Sequence, residues 1–221
     1  MKIDFVSDVA CPWCAVGLNA LEIALARLGD SVPVELHFQP FELNPAMPAA
    51  GEDTIEHLSK KYGKSPAELA QGREGLRQRG AEVGFTFGER PRIWNTFNAH
   101  RLLYWAGLEG KQRELKHALL AAYHTRAENP GDTDVLVRIA AEVGLDAVRA
   151  RAMLESDEYS TEVRELERHW QGLGISAVPS VIVNERHLIQ GGQPPEVFEQ
   201  ALRRLAAQAG TPPSPADAIA Q

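Results

Sequence analysis

Strand-like sequence sits only at the two ends of this chain, and more than half of its length lies between them. Near the start, Lys2 to Val6 is a short β-like run. A second follows at Val32 to Phe41, where Val34, Leu36 and Phe38 alternate with Glu35, His37 and Gln39, the period-two pattern of a half-buried strand. Pro40 and the turn-rich LNPAMP end it. Between these runs Leu18, Leu21, Leu25 and Leu28 share a helical face, and Gly29 supplies a stop. At the other end, Ser180 to Asn184 and His187 to Gln190 are short apolar runs joined by a tight turn. A last helix follows, with Phe198, Ala201, Leu202 and Leu205 on its buried face.

From about Asp53 to Gly172 the pattern is helical. Leu115, Ala118, Leu119, Ala122 and Tyr123 fit the amphipathic template, as do Leu136, Ile139, Ala140 and Val143. Asn95 is placed as the N-cap of a helix through Gly107, and Asp132 or Thr133 as that of another. GFTFGERPRIW is the only break, read as a loop. The order is therefore β-α-β, a helical block, then β-β-α. The short link after the second strand makes the block an insertion into an α/β core. The expected division is residues 1–45 and 176–209 for that core and 46–175 for an inserted helical domain. The tail 210–221, GTPPSPADAIAQ, is expected to be disordered.

With 30 acidic and 23 basic side chains the net charge is −7, which argues against nucleic acid as a partner. No run approaches the apolar length of a membrane span. The N-terminus, MKIDFVSDVA, lacks the long apolar segment of a secretory signal, and Ile3 to Val6 reads directly as strand, so a cytoplasmic location is expected. In that compartment a cysteine pair is catalytic or metal-binding more often than a structural staple.

Cys11 and Cys14 are the only cysteines, spaced as CPWC between a strand and a helix. The unpaired N–H groups of a helix's first turn, and its dipole, favour a thiolate at Cys11. Pro12 takes the first helical position, where its missing N–H costs nothing. The spacing puts Cys14 one turn further in, able to donate its S–H to the Cys11 thiolate and later to attack Cys11. Pro12 stiffens this turn, and Trp13 offers an apolar surface suited to a peptide. Two other readings stay open. A zinc site wants four ligands, and His100, His117, His124, His169 and His187 show no tight ligand spacing, so no metal is expected. Free cysteines are also often small core residues.

SDVACPWCAVG, FQPFELNP, NTFNAHRL, SAVPSVIVN and GGQPPEVFEQAL together resemble the DsbA family within the thioredoxin fold, and more narrowly its FrnE-like branch. The resemblance implies a thioredoxin-like α/β fold with a large all-helical insertion. It implies a cis-proline at Pro179 opposite the cysteines, with the backbone of Val178 pairing with an extended substrate segment. Pro179 opening a strand in trans is the plainer alternative. Asp8 would orient the active-site loop or take a proton, or merely begin a helix. Asn95, Thr96 and His100 match a family motif facing the site, with His100 a candidate substrate-binding residue. Phe97, Arg101, Tyr104 and Trp105 read more simply as a packing face with a charged edge. Gly191, Gly192 and Gln193 match a turn in which the glycines serve backbone geometry.

The implied activity is thiol–disulfide exchange with disulfide- or thiol-containing proteins, Cys11 attacking and Cys14 resolving. No bound cofactor is expected; glutathione or a thioredoxin-type thiol would donate electrons. The dipeptide between the cysteines lacks the histidine of the periplasmic oxidant DsbA, so a milder oxidant is expected. A glutathione-dependent isomerase or transferase, like the related 2-hydroxychromene-2-carboxylate isomerases, is one alternative, although that branch has serine at the Cys11 position. A chaperone-like binding module is another.

Overall fold

The computed structural model of the chain describes residues 1–209. Strand β1 (Lys2–Ser7) is the hinge of the architecture, because period-two alternation sends its side chains into two different cores. Ile3 and Phe5 join one apolar cluster, and Val6 joins another. Strand β1 runs parallel to β2 (Glu35–Pro40), in register from Lys2 opposite Glu35 to Ser7 opposite Pro40. A parallel pair needs a crossover, supplied by helix α1 (Pro12–Leu28). On its other side β1 pairs antiparallel with β5 (Ser180–Val183), and β5 with β6 (His187–Gln190). The tight turn between β5 and β6 holds Asn184 and Glu185 at positive φ. The sheet order is β2-β1-β5-β6.

Helix α1 and helix α9 (Pro195–Ala209) cover one face of this sheet. Leu18 and Leu21 from the first, with Phe198 and Leu202 from the second, pack on Ile3, Phe5, Val181 and Val183. The other face receives Trp170 of helix α8 (Ser160–Gly172), against Val6 and Ile182.

Between β2 and β5 lie strand β3 (Glu52–Asp53), helices α2 (Thr54–Tyr62) and α3 (Pro66–Glu82), strand β4 (Arg92–Ile93), and helices α4 (Phe97–Leu108), α5 (Gln112–His124), α6 (Thr133–Glu142), α7 (Ala147–Leu154) and α8. Asp53, Asp132 and Asp146 cap α2, α6 and α7, and a Ser65–Glu68 capping box with Pro66 at the first position starts α3. A second apolar core joins α4 to α7 through Leu102, Leu115, Leu119, Leu136 and Met153, and Val9 and Ala10 of the cysteine loop belong to it.

Four local expectations are corrected. The second strand begins at Glu35, not Val32: Pro33 has no N–H to donate to a ladder, and the register with β1 starts at Lys2 opposite Glu35. The N-cap residue of α4 is Thr96, not Asn95, and the helix runs to Leu108; Asn95 Oδ1 instead accepts from the Phe97 N–H at 2.8 Å as a turn preceding it. GFTFGERPRIW is neither all loop nor the sole break, since Arg92–Ile93 pairs antiparallel with Glu52–Asp53, a ladder too short to show a period. Arg101 is no charged edge. It is buried, and its guanidinium donates to the carbonyls of Met153 (2.8 Å) and Glu158 (2.9 Å), clamping the segment after α7. The tail 210–221, expected to be disordered, lies outside the described residues.

Candidate active site

The cysteine pair sits where β1 has ended and α1 begins. Cys11 is the N-cap residue in extended conformation, Pro12 occupies the first turn, and the Cys14 N–H donates to the Cys11 carbonyl at 3.1 Å. Both thiols are free and buried. Their acidities are driven apart. The hydrogen bond from Cys14 holds the Cys11 thiol below the ordinary cysteine range; burial opposes it, and the first-turn N–H groups of Cys14 and Trp13 add to it. Cys14 is pushed well above that range, by burial first and then by its neighbour Cys11.

Facing the pair is the Val178–Pro179 peptide, which is cis. The Cys11 thiol donates to the Val178 carbonyl at a Sγ–O distance of 3.5 Å. Two glycines let this loop approach α1. A Cβ on Gly17 would lie 2.9 Å from Pro179 Cγ, and one on Gly192 would lie 3.1 Å from the Trp13 carbonyl oxygen. The Gly191 N–H, at positive φ, donates to the Pro179 carbonyl at 2.8 Å. Gln193 closes its own turn, its side chain donating to the Gln190 carbonyl. Trp13, 42% exposed, forms the outer lip.

Asp8 is not a helix-start residue. Its buried carboxylate accepts four hydrogen bonds: Oδ1 from the Ala10 N–H (3.1 Å), the Thr96 hydroxyl (2.8 Å) and His100 Nε2 (3.3 Å), and Oδ2 from the Leu43 N–H (2.7 Å). Burial alone would raise its pKa, but His100 and these N–H groups leave it below the usual carboxylate value. Asp8 thus binds the cysteine loop to α4 and to the segment after β2. His100 reaches the cysteines through Asp8.

Around the dithiol lie three further residues that the sequence does not mark as site residues, His124 entering there only as a possible metal ligand. His124 Nε2 donates to the Val9 carbonyl at 2.8 Å, and burial, helped by Arg90, lowers its pKa well below the usual histidine value. Arg90 Nη1 donates to the Ala10 carbonyl at 3.0 Å and stacks 5.3 Å from the Tyr123 ring centre. Lys116 is buried near Cys14 and Asp8; burial lowers its pKa, and the negative charge that these two groups can carry resists that. Lys116 was detectable in principle, as a cation inside the apolar arc Leu115, Leu119, Leu120, Tyr123. Arg90 had no such signal. The other histidines weighed as ligands lie elsewhere: His117 pairs with Glu22 at 2.9 Å, His169 stacks on Trp170, and His187 is exposed on β6. Among the described residues no three His, Cys, Asp or Glu side chains converge as a metal ion would require. No helix among them is long and apolar enough to cross a membrane.

Neither cysteine lines the roomier concavities. A groove of about 510 Å³ runs beside β2, with His100 and Lys116 in its wall.

Comparison with known proteins agrees with this geometry. The chain is 30% identical to the uncharacterised Bacillus subtilis protein YwbO over 205 residues, covering 91% of this chain and 96% of that one. A probable DsbA oxidoreductase from Streptomyces coelicolor superposes with a TM-score of 0.88 at 33% identity, over 97% of this chain and 93% of the other. The cytosolic disulfide reductase DsbM from Pseudomonas aeruginosa, solved with glutathione, shares the fold at a TM-score of 0.67 and 15% identity, over 94% of this chain and all of that one. The DSBA-like thioredoxin domain matches residues 2–203, the span that holds the sheet, the helical block and the dithiol, and the chain belongs to that family.

Proposed function

We propose that this protein is a cytoplasmic thiol–disulfide oxidoreductase that exchanges disulfides with protein substrates through Cys11 and Cys14. The observation that carries the reading is the placement of two adjacent thiols at the start of α1, facing the Val178–Pro179 peptide, with Cys11 acidified and Cys14 held protonated. The Cys11 thiolate attacks one sulfur of a substrate disulfide, forming a mixed disulfide and releasing the other sulfur as a thiolate. Cys14 then gives its proton, directly or through solvent, to the substrate thiolate released in the first step, and attacks Cys11 Sγ. The Cys11–Cys14 disulfide forms, the second substrate thiolate leaves, and two electrons have passed from the dithiol to the substrate. Glutathione or a thioredoxin-type thiol restores the dithiol by the reverse exchange. The backbone of Val178 would pair with an extended substrate segment while Trp13 covers its side chains. A cytosolic thiol poise favours the reduced pair, hence reduction or isomerisation.

The test is trapping. Cys14→Ser should accumulate mixed disulfides with cytosolic proteins, and Cys11→Ser should abolish insulin reduction. Failure to trap, together with unchanged insulin reduction in Cys11→Ser, refutes the reading. A redox potential in glutathione buffers as high as that of DsbA would refute the milder oxidant.

A further inference from the structure

We infer that the dithiol is flanked by an anion-binding subsite, which selects disulfides carrying a carboxylate close to the reactive sulfur; this rests on the redox reading above. Beside Pro12, the residue after Cys11, lies a cavity of about 40 Å³. That is room for a small polar group such as a carboxylate head, given that a cavity needs only about 10–15 Å³ of such space to hold one water molecule. Arg73 and Arg77 of α3, and Arg90, line it. Arg90 is anchored by the Ala10 carbonyl at 3.0 Å. Arg77 Nη2 pairs at 2.6 Å with Glu89, which also lines the cavity, and its Nη1 lies 3.8 Å from Glu74. Arg73 is half-buried and forms no ion pair or hydrogen bond among the described residues. His124, also in the wall, is held towards its neutral form. The wall therefore carries three guanidinium groups against one carboxylate, in a chain whose net charge is −7.

The independent observation is Thr54. This first residue of α2 lines the same cavity, is only 3% exposed, and its Oγ1 has no hydrogen-bond partner among the described residues. Its backbone N–H is already used, donating to the Pro91 carbonyl at 2.9 Å. A buried hydroxyl without a partner is destabilising, because its lost hydration is not replaced. A carboxylate meets both needs, since one oxygen accepts the Thr54 O–H while the charge pairs with Arg73 and Arg90. The carboxylate could belong to a small disulfide such as oxidised glutathione, or to an acidic side chain next to a substrate cysteine.

The experiment follows a single oxidation of the fully reduced protein, read by alkylation and mass spectrometry. Three small disulfides of matched size serve as probes: dithiodipropionate (anionic), bis(2-hydroxyethyl) disulfide (neutral) and cystamine (cationic). Rates should fall in that order at low salt, and the spread should shrink as salt is added. Arg73→Gln should lower the anionic-to-neutral ratio by up to about fivefold, the limit for one exposed charge pair. Thr54→Val should lower it with no loss of thermal stability. Arg204→Gln, which removes the same charge from the exposed side of α9, should leave it unchanged. Peptide disulfides with Glu or Gln beside the cysteine separate the sources: a Glu preference assigns the subsite to protein substrates, its absence to small thiols. If no disulfide oxidises the pair, the redox reading fails. If all three oxidise it equally, or Arg73→Gln and Thr54→Val leave the ratio unchanged, or Arg204→Gln lowers it as much, only the subsite is overturned.

Discussion

At Cys11 the acidity comes from a neighbour more than from the helix end alone, because the Cys14 hydrogen bond is the leading influence. Replacing Cys14 with Ala should therefore raise the Cys11 pKa towards the free value of ~8.5, moving the pH profile of its alkylation rate to higher pH. Asp8 acts in two opposed ways. Its charge raises the Cys11 pKa, yet its four hydrogen bonds hold the loop. Asp8→Asn should make Cys11 more acidic, read by thiolate absorbance, while costing about 2–4 kcal/mol in a denaturant titration. The sign with pH follows from the depressed carboxyl. Its stabilisation is complete above the unfolded value of ~3.9 and is lost as pH falls through the lower folded value. The acid limb of the stability curve should thus be shallower in Asp8→Asn than in the unaltered protein.

Among the elements, the contact between α1 and the Pro179 loop is set by what is missing from Gly17 and Gly192. Ala at position 17 would gain about 1 kcal/mol of helix propensity. Its Cβ would also press within 2.9 Å of the proline ring, which cannot swing aside. Overpacking of about 1–3 kcal/mol should win. Gly17→Ala and Gly192→Ala should both lower the denaturant midpoint and alter Cys11 alkylation, because the loop they displace carries the Val178 carbonyl. The edge of β2 shows a second device. The Gln112 amide accepts from the Phe38 N–H at 3.0 Å and donates to its carbonyl at 3.1 Å, pairing an otherwise open strand edge.

Across the whole molecule the cysteine loop is held from both sides. Its Cys11 and Cys14 pack with the sheet and α1, while Val9 and Ala10 pack with the helical block. Thr96, His100, His124 and Arg90 all bond to residues 8–10. Loss of either core removes the partners of the other. Unfolding should therefore be one transition, with tryptophan fluorescence and far-ultraviolet circular dichroism giving coincident denaturant curves. Two separated transitions would show that the helical block folds independently.

Most of the elements and the position of the dithiol were legible in the amino-acid sequence alone. Alternation marked β1 and β2, helical periodicity marked α5, α6 and α9, and CPWC after a strand placed a thiol at a helix start. These are local properties, set by side-chain period and by the unpaired first-turn N–H groups. What surrounds the thiols depends on contacts made across the folded chain. Asp8 was ambiguous because a carboxylate before a helix has a local explanation, and only the fold brings Leu43, Thr96 and His100 to it. Arg101 read as surface because its carbonyl partners lie more than fifty residues away. Arg90, His124 and Thr54 carry no local pattern of this kind, and Lys116 shows only as a cation inside the apolar arc of α5. Their burial and charge act through space, and distance through space is the quantity that sequence spacing does not encode once the chain has crossed between elements.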